Sequence, residues 1–247
     1  GEAGSFAGVI DLLTMRALTF DESDLGATVR EEPVPAAFAA AAERARAALV
    51  ELVAGEDETL LDAYLENPDL PAERLLPALR RATLASRLVP VFCGSALRNK
   101  GIQCLLDGVV NYLPSPVDRA TVTGSDVRSG AAVTRACTDR DPLTALVFKV
   151  ATDPYVGRLG FARVYAGLLR KGQNVFNPRT RKRERILRLV RLQANAQHEV
   201  DTLFAGEIGA LAGLKGATTG DTLCAEHQPV VLERIQAPEP VMFMAIE

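Results

Sequence analysis

The sequence predicts an α/β domain followed by an all-β barrel domain, and three observations support this fold class. Helix-forming residues with apolar spacing typical of helices dominate the part before Pro114, alongside apolar runs typical of strands. After Pro142 the chain changes to short runs rich in Val, Leu and Phe that are separated by Gly, as in barrels. Residues 1–141 carry 14 Lys and Arg against 21 Asp and Glu, whereas residues 142–247 carry 14 against 10. This acidic half and basic half indicate two domains with different partners.

The overall composition indicates a folded globular protein and excludes several other classes. The chain has 247 residues, of which 48% are hydrophobic and 24% charged, unlike disordered or collagen-like chains. No apolar run approaches the roughly 18 residues of a membrane-spanning helix, and the first residues lack the basic region of a signal peptide. Four cysteines without a CxxC pair and only two histidines predict neither a zinc site nor a disulfide framework. We therefore expect reduced thiols and a cytoplasmic location.

The part of the chain before residue 88 is predicted to contain a β segment and three helices. The β segment is "FAGVIDLLTMRALTF", residues 6–20, and the acidic, turn-rich residues 21–35 form a loop with room for one more strand. Ala, Glu, Arg and Leu, which are good helix formers, dominate the helical segments. Pro77 would kink or split the third helix. The predicted helices cover residues 36–54, 57–67 and 71–86.

A short apolar run, a polar loop and an amphipathic helix follow one another between residues 88 and 113. The run Leu88–Cys93 fits a strand buried on both faces, and the apolar residues of Ile102–Leu113 share one helix face. Ligands of open α/β sheets bind beyond the carboxyl ends of strands, where the loop "GSALRNKG" lies. The Ser95 hydroxyl and the N–H groups of Ser95, Ala96 and Leu97 are therefore placed to meet a carbonyl oxygen of a nucleotide base. The alternative is a structural loop, since small residues join many strands to helices.

A dense basic run, "NPRTRKRERILRLVR", lies in the second half of the chain. Seven Lys and Arg fall within residues 179–191 with a single acid, Glu184. Such a run can neutralise nucleic-acid phosphates, and the absence of aromatic residues within it favours phosphate and shape contacts over base recognition. The alternative is a solvated hairpin without a partner. The predicted RNA-contacting residues are Arg181, Lys182, Arg183 and Arg185.

The remaining features predict connections rather than chemistry. Residues 117–141 contain Gly, Ser, Thr and Asp with little apolar content, which is typical of a linker. The Gly- and Thr-rich stretch 213–223 lacks the GK[ST] ending of a phosphate loop, so we interpret it as a turn that leads into a strand. The acids Glu207 and Asp221 show no pairing pattern. We therefore assign no catalytic and no metal-binding residue to this chain.

Four segments, in their order along the chain, resemble bacterial elongation factor G, the translational GTPase that drives translocation on the ribosome. The resemblance covers essentially the whole chain and is weakest at residues 36–87, where only the helical character matches. The later segments are specific because they are long and correctly ordered. The four segments are "FAGVIDLLTMRA", "VFCGSALRNKGIQCLLDGVVNYLPSPVD", "ALVFKVATDPYVGRLGFARVYAGLLRKGQNV" and "GEIGALAGLKGATTGDTLC".

The resemblance implies a division of the chain into four parts. Residues 1–88 would be the G-prime insertion with its lead-in strand, and residues 89–119 the last strand and helix of a P-loop-type GTP-binding domain. Residues 120–141 would be a linker, and residues 142–247 the β-barrel domain II, which contacts small-subunit ribosomal RNA. Ser95-Ala96 matches the motif whose backbone and hydroxyl groups meet the guanine carbonyl.

The resemblance also implies what the intact protein contains beyond this chain. The phosphate loop, both switch segments and the Asn-Lys-x-Asp base motif would precede Gly1, and the tRNA-mimicking domains would follow Glu247. The intact protein would be a monomer that binds GTP and Mg²⁺ and acts on the ribosome without contacting a membrane. This chain alone would hold no cofactor and would be inactive as a GTPase.

Two departures from the resemblance leave alternatives open. The usual "SGDTV" turn is "KGQNV" at Lys171–Val175, and the basic run is richer in arginine than is usual for the family. A paralogue that recycles ribosomes, protects them from tetracycline or acts as a class-three release factor therefore stays possible. An alternative from another class is a freestanding RNA-binding β-barrel with a helical adaptor and no nucleotide chemistry. GxxxxGK[ST] and Asn-Lys-x-Asp motifs upstream of Gly1 would favour the GTPase.

Overall fold

The chain forms two compact units, which divide after Pro114. A computed structural model describes residues 6–21, 23–153, 157–194 and 196–233. Unit 1 is Gly1–Pro114, and unit 2 is Ser115–Glu247. Unit 1 combines helices with a small sheet, and unit 2 is built from strands, so the chain as a whole is of mixed α/β class. Residues 1–5 and 234–247, which belong to the predicted first and last domains, lie outside the described residues.

Unit 1 begins with a three-stranded antiparallel sheet whose strands follow the chain order. The predicted β segment at residues 6–20 forms two strands, because a turn at residues 12–15 interrupts it. The Asp11 carboxylate accepts the Leu13 N–H at 2.8 Å, which stabilises this turn. A third strand forms within the segment predicted as a loop with room for one. The strands are β1 (Gly8–Asp11), β2 (Arg16–Phe20) and β3 (Val29–Pro33), in the sheet order β1-β2-β3.

The three predicted helices of unit 1 form close to their predicted ends. The second begins where the Asp57 carboxylate accepts the Leu60 N–H at 3.0 Å, and it ends before Pro68. The third continues through Pro77 without being split. Local propensity and end signals therefore suffice to locate these helices. The helices are α1 (Ala36–Ala54), α2 (Glu58–Glu66) and α3 (Ala72–Leu84).

The helices enclose the core of unit 1, and a guanidinium ties them to the sheet. Arg46 of α1 donates to the carbonyl oxygens of Leu12 and Leu13 at 2.7 and 2.6 Å, and to that of Leu70 at 2.5 Å. One side chain therefore satisfies carbonyls of two connections that the helices and strands leave open. The apolar core beside it includes Val50, Val53, Leu60, Leu75, Leu79 and Tyr112.

The prediction of a strand at residues 88–93 that is buried on both faces was wrong. Val89 and Val91 are 82% and 84% exposed, and no strand forms there. A strand needs a neighbour for its backbone hydrogen bonds, and among the described residues none pairs with this segment. The segment instead packs on the helix that follows it, α4 (Ile102–Tyr112). The Phe92 ring lies against Gly108, where an added Cβ would come within 2.4 Å of it.

Helix α4 exposes the apolar face that its sequence pattern predicted to be buried. Its buried positions are Gly108 and Tyr112, on the side of Phe92. The apolar side chains at helical spacing lie instead at the surface of unit 1, and those more than a third exposed are Leu105, Leu106, Val109 and Val110. The spacing correctly predicted a helix with one apolar face but not what that face contacts.

Unit 2 is organised around an eight-stranded antiparallel sheet, as the short apolar runs after Pro142 predicted. Its order is β10-β9-β15-β6-β7-β14-β11-β12, and two short strands, β8 and β13, pair separately. The strands are β6 (Thr144–Asp153), β7 (Gly157–Ala166), β8 (Leu169–Arg170), β9 (Asn174–Asn177), β10 (Lys182–Arg185), β11 (Arg188–Gln193), β12 (Ala196–Val200), β13 (Thr202–Leu203), β14 (Ile208–Ala212) and β15 (Thr222–Cys224).

The eight-stranded sheet curls into a barrel around one apolar core. Val175 of β9 and Leu189 of β11 lie near opposite ends of the strand order, yet both belong to the same buried cluster. The Gly172 N–H donates to the Ile186 carbonyl at 2.7 Å, which links the turn before β9 to the connection between β10 and β11. Alternate residues of each strand fill the interior, because side chains along a strand point to opposite faces.

The predicted linker at residues 120–141 contains two strands that belong to unit 2, so this prediction was wrong. They are β4 (Thr121–Asp126) and β5 (Ala132–Ala136), and with β16 (Val230–Leu232) they form a sheet of order β16-β4-β5. The segment has few apolar residues because its strands alternate between exposed and half-buried positions. Its partner β16 lies about a hundred residues away along the chain, so no local pattern could predict the pairing.

Removing residues 115–141 is expected to weaken unit 2. All barrel strands lie between Thr144 and Cys224, so we still expect the fragment 142–247 to fold alone, but it lacks both strands that keep β16 in a sheet. It also lacks the Thr138 carbonyl, which accepts the Gly167 N–H at 2.8 Å. Urea unfolding should therefore show a lower midpoint for 142–247 than for 115–247. Equal midpoints would mean that β4 and β5 add nothing to the barrel, and a loss of near-ultraviolet signal in 142–247 would contradict its independent folding.

Candidate functional site

The loop after residue 93 is a compact turn closed by its own backbone. The Ser95 N–H donates to the Lys100 carbonyl at 2.8 Å, and the Lys100 N–H donates to the Ser95 carbonyl at 3.1 Å. Between them, Ala96–Arg98 form one 3-10 turn, and Asn99 and Gly101 adopt left-handed conformations with φ of 54° and 79°. We call residues 95–101 the base loop, after the role predicted for it.

The base loop offers two of the three predicted backbone donors. The Ser95 N–H is used inside the loop, so it is not available to a ligand, which corrects one part of the prediction. The Ala96 and Leu97 N–H groups begin the 3-10 turn and make no hydrogen bond within the described residues. The Leu97 side chain is 99% exposed. The base loop thus carries, at adjacent residues, the Ser95 hydroxyl and the N–H groups of Ala96 and Leu97 as donors for a ligand.

The basic run forms a hairpin at one edge of the barrel sheet. Strands β9 and β10 pair antiparallel from Asn174↔Arg185 to Asn177↔Lys182. The tight turn between them places Arg181 in a left-handed conformation with φ of 53°. All four predicted RNA-contacting residues are exposed and lie together on this turn and strand β10. We call Arg181, Lys182, Arg183 and Arg185 the basic hairpin.

The other arginines of the run are held by carboxylates. Arg179 forms a two-pronged ion pair with Asp221, at 2.6 and 2.9 Å, and also donates to the Gly216 carbonyl. Arg188 pairs with Glu199 at 3.0 Å, and Arg191 pairs with Glu207 at 2.6 Å. Within the basic hairpin, Arg183 pairs with Glu226 at 2.6 Å, which raises the pKa of Arg183. No ion pair of the other three hairpin residues occurs in the part of the chain that the structure describes.

An open groove of about 630 Å³ lies between the basic hairpin and the loop 213–216. Lys182, Arg183 and Arg185 line one side, and Lys215 lies on the other. The lining also contains one carboxylate, that of the buried Glu184, which accepts the Lys215 N–H at 2.6 Å and the Gly216 N–H at 3.1 Å, so four positive side chains face a single negative one. The groove therefore concentrates positive charge, which suits phosphate groups.

Comparison with known proteins relates the barrel of unit 2 to a known family. The family model described as elongation factor G domain 2 matches residues 142–226, which cover the barrel from before β6 to after β15. Residues 142–226 therefore resemble domain 2 of elongation factor G. The solved crystal structure of a protein from Thermus thermophilus resembles the whole chain, with a TM-score of 0.72 and 27% sequence identity. The match covers 97% of this chain but 33% of the Thermus protein, so the chain spans about a third of that protein's length.

The barrel of unit 2 contains a buried ion pair that the sequence did not predict. Asp221 is buried, and its carboxylate accepts from Arg179, from the Asn177 amide at 3.0 Å and from the Thr218 N–H at 2.9 Å. Burial alone would raise the pKa of Asp221, but these three donors outweigh it and hold the pKa below its ordinary value. Arg179 and Asp221 are 42 residues apart in sequence, so no local pattern could predict that they pair.

In the same barrel, the Gly- and Thr-rich stretch leads into a strand, as predicted. The loop 213–216 lies against Glu184, and β15 follows at Thr222. The two N–H groups that a phosphate loop would offer to a ligand, those of Lys215 and Gly216, bind Glu184 instead. Lys215, on the far side of the basic groove, is a candidate contact residue that the charge run missed because it lies 24 residues after Arg191.

Side chains that could bind a metal ion are scattered along the described part of the chain. Within it, no three His, Cys, Asp or Glu side chains are grouped in a way that would hold a metal ion. None of the helices that the structure describes is both long and apolar enough to span a membrane. All four cysteines are free thiols, and burial raises the pKa of Cys224.

Proposed function

We propose that the chain is an internal part of a translational GTPase related to elongation factor G, which hydrolyses GTP on the ribosome to drive translocation. The observation that carries the proposal is the order of two features: the base loop at residues 95–101 precedes the elongation factor G domain 2 match at residues 142–226. Unit 1 would contribute to a guanine site, and unit 2 would contact small-subunit ribosomal RNA. The intact protein would be a cytoplasmic monomer.

The exposed apolar surface of unit 1 is an argument that, in the intact protein, residues 89–113 belong to a larger α/β sheet. Val89 and Val91 are exposed on a segment that packs along α4, and the apolar face of α4 is exposed beside it. Folded proteins rarely expose apolar surface of this extent unless another element or partner covers it. A parallel strand next to residues 89–93 would supply their backbone hydrogen bonds, and its crossover helix would cover α4. This is the environment that the last strand and helix of a GTP-binding domain would have.

The base loop has the chemistry that selects guanine. The Ser95 hydroxyl and the Ala96 and Leu97 N–H groups are donors, and guanine presents an acceptor, O6, where adenine presents an amino group. Donors that face an amino group would stay unpaired, which disfavours adenine. The phosphates and Mg²⁺, which stabilises charge on them during transfer, would be held by parts of the intact protein outside this chain.

We predict that this chain alone binds neither GTP nor GDP measurably and does not hydrolyse GTP. Binding a nucleotide through its base alone does not offset the entropy lost on association, because most of the contacts to nucleotides are made to phosphates and Mg²⁺. Calorimetric titration of the chain and of the intact protein with both nucleotides is the test. Micromolar affinity of the chain alone would mean that the base loop has been misassigned. Absence of binding to the intact protein would refute the GTPase proposal itself.

The basic groove favours a second candidate, a freestanding RNA-binding module with a helical adaptor. In that case the chain would bind ribosomal RNA as tightly as any longer protein that contains it, and no such protein would bind GTP. A paralogue that recycles or protects ribosomes would bind GTP but would not support translocation. A translocation assay with purified ribosomes and the intact protein therefore distinguishes the three functions.

A further inference from the structure

The base loop is in contact with a second loop that lies far away in sequence. Residues 23–28 lie between β2 and β3, and the backbone of Gly26 and Ala27 reaches the base loop and the start of α4. The connection between β2 and β3 therefore lies next to the loop whose donors we propose to bind guanine. We call residues 23–28 the clamp loop.

Gln103, in the first turn of α4 directly after the base loop, holds the clamp loop by hydrogen bonds. Its Nε2 amide donates to the Gly26 carbonyl at 2.7 Å and to the Ala27 carbonyl at 3.2 Å. Its Oε1 atom is buried and has no hydrogen-bond partner within the described residues. The Gln103 amide therefore makes its hydrogen bonds through Nε2 to the clamp loop, while its buried Oε1 accepts none. A buried polar atom without a partner calls for an explanation, and we attribute it to a role of Gln103 in positioning the clamp loop.

Gly26 makes the second contact, by close approach of backbone to backbone. It is buried, has a φ of 76°, and a Cβ at this position would lie 2.9 Å from the Asn99 carbonyl oxygen and 3.1 Å from that of Arg98. Arg98 and Asn99 end the 3-10 turn whose first residues supply the free N–H groups. Any side chain at residue 26 would therefore push on the turn that presents those donors.

Internal hydrogen bonds restrict the conformation of the clamp loop, so a change at residue 26 would displace the base loop rather than the clamp loop. Its Asp24 carboxylate accepts the Ala27 and Thr28 N–H groups at 3.0 and 2.9 Å, and the Gly26 N–H donates to the Asp21 carbonyl at 2.7 Å. The buried Lys100 amine, within the base loop, donates to the Phe6 carbonyl at 2.9 Å, two residues before β1. The base loop therefore contacts segments that adjoin the β1-β2-β3 sheet at two places, the clamp loop and Phe6.

We propose that Gln103 and Gly26 are positioning residues that set the orientation of the base loop, so that the β1-β2-β3 sheet controls guanine recognition. The proposal rests on the proposed function of Ser95, Ala96 and Leu97. It adds that recognition depends on an element outside the nucleotide-binding part of the fold. A partner that displaces the clamp loop would weaken base contact without touching the nucleotide.

The first experiment tests the clamp in this chain without nucleotide. In Gln103→Ala, the Ser95 and Lys100 amide protons, which close the base loop, should exchange with solvent about five- to tenfold faster, as expected for the loss of one or two neutral hydrogen bonds. The matched control is Asn111→Ala, which removes an exposed amide from the far end of the same helix. Unchanged exchange in Gln103→Ala would overturn the proposal.

The second experiment measures base recognition in the intact protein. Dissociation constants are compared for GDP and for 2-aminopurine riboside diphosphate, which lacks O6 but keeps the 2-amino group. Gln103→Ala and Gly26→Ala should weaken GDP binding about five- to tenfold and leave the analogue unaffected, because only O6 meets the base loop. The control for Gly26 is Gly130→Ala, which has a similar φ of 70° but nothing within 4 Å of the added Cβ.

The outcomes separate this proposal from the function on which it rests. If the wild-type intact protein fails to bind GDP, the proposed function is wrong. If the wild type binds GDP and prefers it to the analogue, equal losses for both nucleotides, or no loss, would overturn the positioning role alone. Thermal unfolding of each variant shows whether it is folded, and because the two substitutions act on different residues, misfolding of one leaves the other as the test.

Discussion

Replacing Arg179 by Met is expected to destabilise unit 2 by about 2–3 kcal/mol at neutral pH, whereas replacing Arg188 by Met should have a much smaller effect. Both arginines pair with a carboxylate, but their partners differ in burial. Asp221 is 3% exposed, and Glu199 is 38% exposed. Arg179→Met leaves a buried carboxylate with two donors in place of three, while Glu199 stays hydrated and keeps its contact with Lys171.

The expected cost for Arg179 lies below the value for a fully buried pair, because its own side chain is 37% exposed and water screens the interaction. Urea unfolding followed by a signal from the barrel measures the difference. Equal destabilisation by Arg179→Met and Arg188→Met would show that burial of Asp221 does not matter, and would contradict the structure.

The pH dependence gives an independent check on the same ion pair. The pKa of Asp221 is held below its ordinary value in the folded protein, so the pair contributes stability above the unfolded pKa of about 4 and loses it as pH falls through the folded pKa. In Arg179→Met the folded pKa rises, because burial is then opposed by fewer donors. The stability difference between wild type and Arg179→Met should therefore be largest near pH 7 and shrink below pH 4. A difference that does not change with pH would mean that lost packing, not the charge, explains the effect.

A second acid shows the same dependence in unit 1. The Asp57 carboxylate begins α2, and its hydrogen bonds from Arg81, Thr59 and the Leu60 N–H lower its pKa to about 2. Its contribution to stability is complete above the unfolded pKa of about 4 and disappears as pH falls toward 2. Both units therefore lose a carboxylate interaction in acid, and an acid titration of the whole chain must be followed with a signal specific to unit 2.

The helices of unit 1 could be predicted because their signals are local. Helix α1 begins and ends where the run of good helix formers does, and Asp57 and Pro68 delimit α2 within a residue or two. The strand predicted at residues 88–93 failed for the opposite reason. A run of apolar residues indicates that a segment prefers burial. Whether it forms a strand depends on a neighbouring strand elsewhere in the fold, and the described residues provide none.

The candidate sites were predictable in their central residues but not in their supports. Ser95, Ala96 and Leu97 follow from a short motif, whereas Gln103 and Gly26 are linked only by a contact across 77 residues. The arginine run was visible as charge density. Composition could not separate Arg179, which stabilises the barrel through Asp221, from Lys182 and Arg185, which line an open groove. That distinction depends on the acids that face each arginine, and these acids come from other parts of the chain.

This distinction leads to the second large expected effect, on RNA binding. Replacing Arg181, Lys182, Arg183 and Arg185 by Ala in the intact protein should weaken ribosome binding and flatten its dependence on salt. The slope of log affinity against log salt should fall by about 0.7–0.9 for each phosphate that is no longer neutralised. Phosphate contacts position the protein rather than specify a sequence, so the weakening should be similar for ribosomal RNAs of different sequence. The fold should survive, because all four side chains are exposed.

The decisive comparison holds the change in net charge constant. Lys182→Ala with Arg185→Ala removes two positive charges from the groove, and Arg188→Ala with Arg191→Ala removes two that are paired with Glu199 and Glu207. If the groove holds phosphates, the first pair should reduce the salt slope by about 1.4–1.8 and the second should leave it nearly unchanged, because paired arginines displace few counterions from RNA. Measurements of affinity for small ribosomal subunits at several KCl concentrations give both slopes. An equal reduction of the slope in the two double variants would indicate attraction by net charge alone, and unchanged slopes in both would indicate that the basic hairpin is a solvated edge of the barrel.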